Sequence, residues 1–256
     1  MKIKYNSIFV SDLHLGAGES QADIFVEFLK QHDCVNLYMV GDIIDGWKLR
    51  RRWHWPQSHN NALRQVLTKA KRGTNVVYIT GNHDEFLRDW IVDHGSIGDI
   101  QIVNQVIYHD LKNRSWLVTH GDMFDQVTRH HRWISLLGDR LYTLLLLSNK
   151  WVHKFRDILG LPIWSLSQYV KSRTKQAVNF IYNFEDHLSM HAQKQGCQGV
   201  ICGHIHSSTI KQIQSINYIN TGDFCETCSA VAETTTGEWH LLMRDQNGKW
   251  EVINSL

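Results

Sequence analysis

Proline is almost absent from this 256-residue chain, which has only 2, and no low-complexity tract accompanies them. Segments too poor in apolar residues to pack stay disordered. With 43% hydrophobic and 20% charged residues, the composition argues against disordered linkers and supplies apolar surface for a sizeable core. Net charge is low as well, at +2, so no strong overall field recruits nucleic acid. The 5 cysteines are an odd number and exclude a closed disulfide framework. Cys225 and Cys228 form a C-x-x-C without the second pair a zinc site needs, so they read as structural or incidental thiols. The start, Met1-Lys2-Ile3-Lys4-Tyr5-Asn6, lacks a signal-peptide apolar core, which predicts a reduced, cytosolic compartment. The leucine run Leu144–Leu147 is far too short to span a membrane.

What the chain has in excess is histidine, 16 residues of it. Several follow short apolar runs of strand type. Ser7–Ser11 leads into Asp12-Leu13-His14, and Leu37–Val40 into Gly41-Asp42. Val76–Ile79 leads into Gly81-Asn82-His83-Asp84, and Trp116–Thr119 into His120-Gly121-Asp122. Gly199–Cys202 leads into Gly203-His204-Ile205-His206. Side chains alternate along a strand, so the i, i+2 pairs Asp12/His14 and His204/His206 are predicted to lean one way. Helical spacing over Ser20–Gln31, with Ser20 as N-cap, and over Ala62–Ala70 makes the first half a βαβ series with a parallel sheet. Ligands of such sheets bind beyond the carboxyl ends of the strands.

Between Met123 and Gln195 the period turns helical, through Ile134, Leu137, Leu141, Leu144, Leu145, Val152, Phe155 and Leu159. Pro162 interrupts it, and Ser167–His191 resumes it. This predicts a helical insertion over about 123–195, either packed on the main domain or forming a cap that receives an acyl chain or touches a bilayer. Trp133, Trp151 and Trp164 favour the cap, because tryptophan favours interfaces. Beyond His206, strands follow one another without helices, ending in a hairpin, Trp239–Arg244 with Trp250–Asn254, turned at Asn247-Gly248. That half is predicted antiparallel. The whole, residues 1–256, reads as one domain: a four-layer αββα sandwich of two stacked mixed sheets with a helical insertion.

Asp12, His14, Asp42, Asn82, His120, His204 and His206 are oxygen and nitrogen donors without a thiolate, suited to Mn²⁺, Fe²⁺ or Zn²⁺. Seven donors exceed one tetrahedral site and divide between two ions if a carboxylate, Asp42, bridges. Two ions about 3.5–4 Å apart would clamp a phosphoryl group and generate hydroxide near neutral pH. His83 is then free to act as a proton donor, with Asp84 able to orient it. Asp45 and Asp122 are candidates to orient ligand histidines, and Asn220 and Asp223 follow another strand end. The run Arg50-Arg51-Arg52-Trp53-His54-Trp55-Pro56 reads either as a solvated loop with Trp53 and Trp55 packed beneath it or as a recognition loop for phosphate. Arg129 and Arg132 are further candidates for a distal phosphate or a sugar.

Together, Asp12-x-His14, Gly41-Asp42, Gly81-Asn82-His83-Asp84, His120 and Gly203-His204-x-His206 resemble the five-motif signature of the calcineurin-like metallophosphoesterases. The resemblance implies a dinuclear site, with Asp12, His14, Asp42 and His206 on one ion and Asp42, Asn82, His120 and His204 on the other. Ser11-Asp12-Leu13-His14-Leu15 and the insertion are closest to the UDP-2,3-diacylglucosamine pyrophosphatases of lipid A synthesis. That likeness implies manganese, an acyl-binding cap and a peripheral place on the inner membrane face. His83 stands where that subfamily commonly has arginine, and in this it resembles the wider superfamily, which has histidine. The expected substrate is a phosphate-containing small molecule or a lipid-linked pyrophosphate. Alternatives are a phosphodiesterase of cyclic nucleotides or nucleic acid, the latter disfavoured by charge, and a catalytically silent protein-binding scaffold.

Overall fold

In the computed structural model, residues 3–93, 95–124 and 166–256 are described. Four strands run parallel in the first sheet: β1 (Ile3–Val10), β2 (His32–Val40), β3 (Asn75–Ile79) and β5 (Ile100–Val103). Antiparallel partners flank them: β4 (Ser96–Ile97), β11 (Ser229–Glu233), β12 (Trp239–Arg244) and β13 (Trp250–Ser255). The resulting order is β13-β12-β11-β1-β2-β3-β5-β4. The second sheet has the order β6-β7-β8-β10-β9, formed by Gln105–His109, Ser115–Thr119, Gly199–Cys202, Ile216–Asn220 and Thr209–Ile213 respectively. The helices are α1 (Ala22–Gln31), α2 (Gly46–Arg51), α3 (Gln57–Lys71), α4 (Phe86–Asp93) and α5 (Leu166–Lys194).

Strand alternation builds two apolar layers from the same strands. Ile8, Val10, Leu37, Met39, Val76 and Tyr78 face Phe25, Phe28, Ala62 and Val66 of α1 and α3. Phe9, Tyr38, Val77 and Ile79 face the other way, against Trp116, Val118, Ile201 and Ile219 of the second sheet. Strands buried on both faces read as unbroken apolar runs, which is why their ends were legible in sequence. Phe9 lies stacked on Tyr38 at 4.7 Å and tilted against Trp239 at 5.5 Å. Burying such a ring contributes about 1.5–3 kcal/mol. The fold is the αββα sandwich of two mixed sheets.

Several local expectations need correction. The carboxyl-terminal half is not wholly antiparallel, because β8 runs parallel to both β7 and β10. The segment Thr209–Ile213 inserts as a hairpin partner at the edge, so β10 can return beside β8 in the same direction. Ser20 does not cap α1; Gln21 occupies that position without a side-chain cap bond, and the Ser20 hydroxyl donates to the Leu13 carbonyl at 2.6 Å. The chain forms two compact units, residues 1–122 with 188–256, and residues 123–187. Most of the expected insertion, 125–165 with Arg129, Arg132, Trp133, Trp151 and Trp164, lies outside the described residues. No helix among the described residues is long and apolar enough to cross a membrane.

Candidate metal centre

Strand ends β1, β2, β3, β7 and β8 deliver the candidate ligands, and the backbone leaves each strand sharply. Asp12, His14, Asp42, His204 and His206 have φ values of 52°, 47°, 54°, 72° and 52°. Left-handed backbone in residues with a Cβ costs on the order of 1–3 kcal/mol each and persists only where the surroundings over-determine it. Alternation along an extended strand therefore does not bring the i, i+2 pairs together. Asp12 and His14 converge through left-handed turns stitched to the next strand end, with Asp12 N–H donating to Gly41 O at 3.1 Å and His14 N–H to Asp42 O at 2.9 Å. Close approach sets the glycine between β3 and Asn82: a Cβ on Gly81 would collide with the Asp42 carboxylate and backbone.

Asp42 is the hub. It is fully buried, and its Oδ1 accepts the His83 backbone N–H at 2.8 Å. Its Oδ2 lies 3.4 Å from His120 Nε2, 3.8 Å from His14 Nε2 and 3.8 Å from His83 Nε2. Asp12 shows the same division of labour. Its Oδ2 accepts from the Ser11 hydroxyl at 2.6 Å and from His204 N–H at 3.0 Å. Its Oδ1 is left facing His206 Nε2 at 3.1 Å and His14 Nε2 at 3.7 Å. Three groups of donor atoms, each within 4.8 Å of one another, result: Asp12/His14/His206, His14/Asp42/His83 and Asp42/His120/His204.

Outer contacts fix the tautomers. His120 Nδ1 sits 2.9 Å from the Val40 carbonyl, which only accepts, so Nδ1 keeps its proton and Nε2 is the atom that offers a lone pair once the ring is neutral. His14 Nδ1 is 3.2 Å from Asp45 Oδ2, which aims its Nε2 at the two carboxylates. His83 Nδ1 makes an ion-pair contact of 2.9 Å with Asp45 Oδ1. One carboxylate thus holds both rings and also caps α2, accepting Lys48 N–H at 2.8 Å. Asp84 does not have the orienting place expected of it. Its carboxylate accepts from the Tyr78 hydroxyl at 2.6 Å and from the backbone N–H groups of Ile43 (2.9 Å) and Gly81, tying the second and third strand ends together. Asp122 pairs with Arg88 at 2.7 Å instead of holding a histidine.

Charge follows this geometry. Burial works against protonated His14, but the facing Asp12 carboxylate, the bond to Asp45 and the Asp42 field outweigh burial and raise its pKa to about 9. For His120 burial opposes charge likewise, and Asp42 carries it up to about 10. Burial would raise Asp42 and Asp12, yet the facing imidazoles hold both well below the usual carboxylate range. Burial and the nearby Asp42 charge push Asp84 up to about 6.

Four buried atoms at the centre have no hydrogen-bond partner among the described residues: Asp12 Oδ1, His14 Nε2, Asn82 Oδ1 and His120 Nε2. A buried polar atom left unsatisfied costs about 1–3 kcal/mol, and a cluster of carboxylate, amide and imidazole atoms of this kind fits a cation that displaces the imidazole protons. Oxygen and imidazole donors without thiolate fit a hard or borderline divalent ion. Cys225 and Cys228 do not enter; both are buried free thiols, and burial pushes Cys228 up to about 11.

Other predicted residues fall elsewhere. Arg50, Arg51 and Arg52 are exposed at the end of α2 and make no side-chain hydrogen bond or ion pair with a described residue. Asn220 is buried beneath the last motif, donating to Gly203 O at 2.8 Å, and Asp223 collects the N–H groups of the following turn. Trp47 escaped the sequence reading. Its ring lies 4.3 Å from that of His83, tilted by 37°, and its N–H donates to Glu85 at 3.1 Å. A tryptophan two residues after Asp45 at the start of a helix was the available signal.

This fold and this cluster define a metal-binding phosphoesterase. The chain belongs to the calcineurin-like phosphoesterase family, whose model matches residues 6–208. A UDP-2,3-diacylglucosamine hydrolase of Porphyromonas gingivalis is 29% identical over 90 residues, 32% of this chain. The match spans about a third, 34%, of that relative's length. Among solved structures, zinc-complexed Vps29 of Entamoeba histolytica aligns at TM-score 0.49 and 11% identity, covering 98% of this chain and 97% of that one. The YfcE phosphoesterase of E. coli aligns at 0.49 and 14%, with coverage of 98% and 97%.

Proposed function

We propose that the protein hydrolyses a phosphoanhydride or phosphodiester with two divalent ions, and that its substrate is a nucleotide-linked pyrophosphate of the UDP-2,3-diacylglucosamine type. One observation carries the two-ion reading: Asp42 Oδ2 faces three imidazole Nε2 atoms within 3.8 Å, the placement of a bridging carboxylate. Asp12, His14, Asp42 and His206 would hold one ion, and Asp42, Asn82, His120 and His204 the other. Bound divalent ions supply polarisation of a phosphoryl oxygen and an acidified water, manganese being the expected species.

The chain's own residues supply the rest. His83 presents Nε2 to the centre while Asp45 holds Nδ1 and Trp47 covers the ring, a geometry suited to giving a proton to the leaving oxygen. Ser11 and the His204 amide occupy Asp12 Oδ2, leaving Oδ1 for ligation. The partial likeness to the Porphyromonas enzyme supports the nucleotide-sugar substrate. In this reading the insertion of about 123–195 is an acyl-binding cap, and Arg129 and Arg132 contact the distal phosphate or sugar.

A second reading, a phosphodiesterase of another small substrate, is favoured by His83 standing in the third motif. The test is turnover with Mn²⁺ of UDP-2,3-diacylglucosamine, its unacylated parent and a generic aryl phosphodiester. Preference for the acylated compound supports the first reading. Equal or faster turnover of the aryl diester supports the second and removes the lipid.

A further inference from the structure

Behind the metal centre lies a buried pair of hydroxyls that touches it at one point. Ser11 follows β1, and Thr221 follows β10; both are buried. The Ser11 hydroxyl has three oxygens around it: Asp12 Oδ2 at 2.6 Å, Thr221 Oγ1 at 2.6 Å and the Gly222 carbonyl at 3.0 Å. The Thr221 hydroxyl lies near Ser11 and also 3.1 Å from the Cys202 carbonyl. Its backbone is pinned on both sides, the N–H donating to Cys202 O at 2.9 Å and the carbonyl accepting from the Ser229 hydroxyl at 2.8 Å. The packing is close, since a Cβ on Gly203 would collide with Ser11 Oγ and Asp12 Oδ2.

Counting protons fixes the direction of these bonds. Two oxygens 2.6 Å apart need a hydrogen between them, and Ser11 makes two such contacts. Asp12 supplies neither hydrogen as a ligand, because a carboxylate binds metal in its ionised form. A serine hydroxyl has one proton, so Ser11 gives it to Asp12 Oδ2 and takes the second hydrogen from Thr221. Donation by Thr221 to Cys202 O instead would leave one of the two short contacts without a hydrogen. The chain therefore runs one way, from Thr221 to Ser11 to Asp12. Bonds in such a chain polarise one another, so the hydrogen arriving from Thr221 strengthens the bond that Ser11 gives to the carboxylate. With His204 N–H at 3.0 Å, this occupies Oδ2, and Oδ1 is the oxygen turned to His14 and His206.

We propose that Thr221 is a positioning residue of the metal centre, its hydroxyl acting through Ser11 to hold Asp12 with Oδ1 towards the ion shared with His14 and His206. The proposal rests on the two-ion reading of the site and is independent of which phosphoester is cleaved.

The experiment is Mn²⁺ titration calorimetry on the full chain, for the parent, Thr221→Ala, Thr221→Ser, Ser11→Ala and the double variant S11A/T221A. T221A is expected to weaken the ion site of Asp12 by about three- to tenfold and to leave the other site within about twofold of the parent. T221S keeps the hydroxyl and stays within about twofold at both sites. In the double variant, Thr221→Ala adds less than about twofold to the loss from Ser11→Ala, because Thr221 has nothing left to act through. T221C, whose thiol donates only weakly, repeats the T221A result with less volume removed from the buried position. Parental affinity in T221A, independent losses that add in the double variant, or a T221S that falls with T221A each overturns the proposal and leaves the two-ion reading standing. Equal weakening of both sites does the same, as the mark of a general loosening of the fold. A parent that binds no Mn²⁺ overturns both.

Discussion

Replacing Asp45 by asparagine is expected to damage one ion site and spare the rest. Asp45 Oδ1 accepts Lys48 N–H at 2.8 Å and contacts His83 Nδ1 at 2.9 Å, while Oδ2 meets His14 Nδ1 at 3.2 Å. An asparagine must keep its oxygen at the Oδ1 place, because an amide NH₂ there would oppose the Lys48 N–H. Its NH₂ then faces His14 Nδ1, which can satisfy it only as an acceptor. The ring proton moves to Nε2, the atom aimed at Asp12 and Asp42, and His14 can no longer ligate. Loss of such an outer partner costs about 10–100-fold in metal affinity. The helix cap survives, so above pH 9, where His14 is neutral with or without its Asp45 partner, unfolding free energy should change by less than about 1 kcal/mol, whereas Asp45→Ala loses roughly that amount through the cap alone. Titration calorimetry with Mn²⁺ should resolve one weakened and one near-normal site in Asp45→Asn, with the melting temperature of the metal-free protein unchanged above pH 9. Two sites of parental affinity would refute the tautomer argument.

His83→Ala should retain both ions by metal analysis yet lose about 10²–10⁴-fold in kcat; an unchanged kcat removes the ring from the chemistry. Ser11→Ala frees Asp12 Oδ2 from its 2.6 Å bond and should weaken metal binding about tenfold by calorimetry, with parental affinity counting against a positioning role. His14 lies at about 9 in the metal-free fold against 6.5 ordinarily, so its stabilisation, on the order of 3 kcal/mol, is fully present below pH 6.5. That stabilisation is lost as pH rises through 9, so metal-free stability should fall over this window. Metal affinity should rise over the same range, because ligation requires the neutral ring. Denaturant melts and Mn²⁺ titrations across pH check both slopes, and parallel slopes would contradict the assignment.

The candidate ligands were legible because polar, metal-capable side chains stand immediately after buried apolar runs, an arrangement a packed strand does not tolerate within itself. How they converge was not legible. Alternation along an extended strand suggested the right neighbours for the wrong reason, since Asp12, His14, His204 and His206 adopt left-handed backbone beyond the strand. Nothing in residue type marks such φ values except the glycines nearby. Asp45 and Asp84 look alike in sequence, each a short step past a glycine motif. Only packing assigns the first to two imidazoles and the second to loop amides. The short strands β4 and β6 escaped because Ser96–Ile97 and Gln105–His109 are largely exposed and carry little apolar periodicity. The parallel β8–β10 pairing escaped because a short hairpin, not a helix, makes the crossover.

The most direct test of the central claim is the metal content of the purified chain after Mn²⁺ loading, read beside turnover of an aryl phosphodiester, for the parent and for Asp42→Ala. Because Asp42 Oδ2 serves both groups of imidazoles, the parent should bind two ions per chain, and the variant should lose both together with all turnover. A variant that keeps its ions and its turnover, or a parent that saturates with a single ion, would contradict the shared carboxylate at the heart of the site.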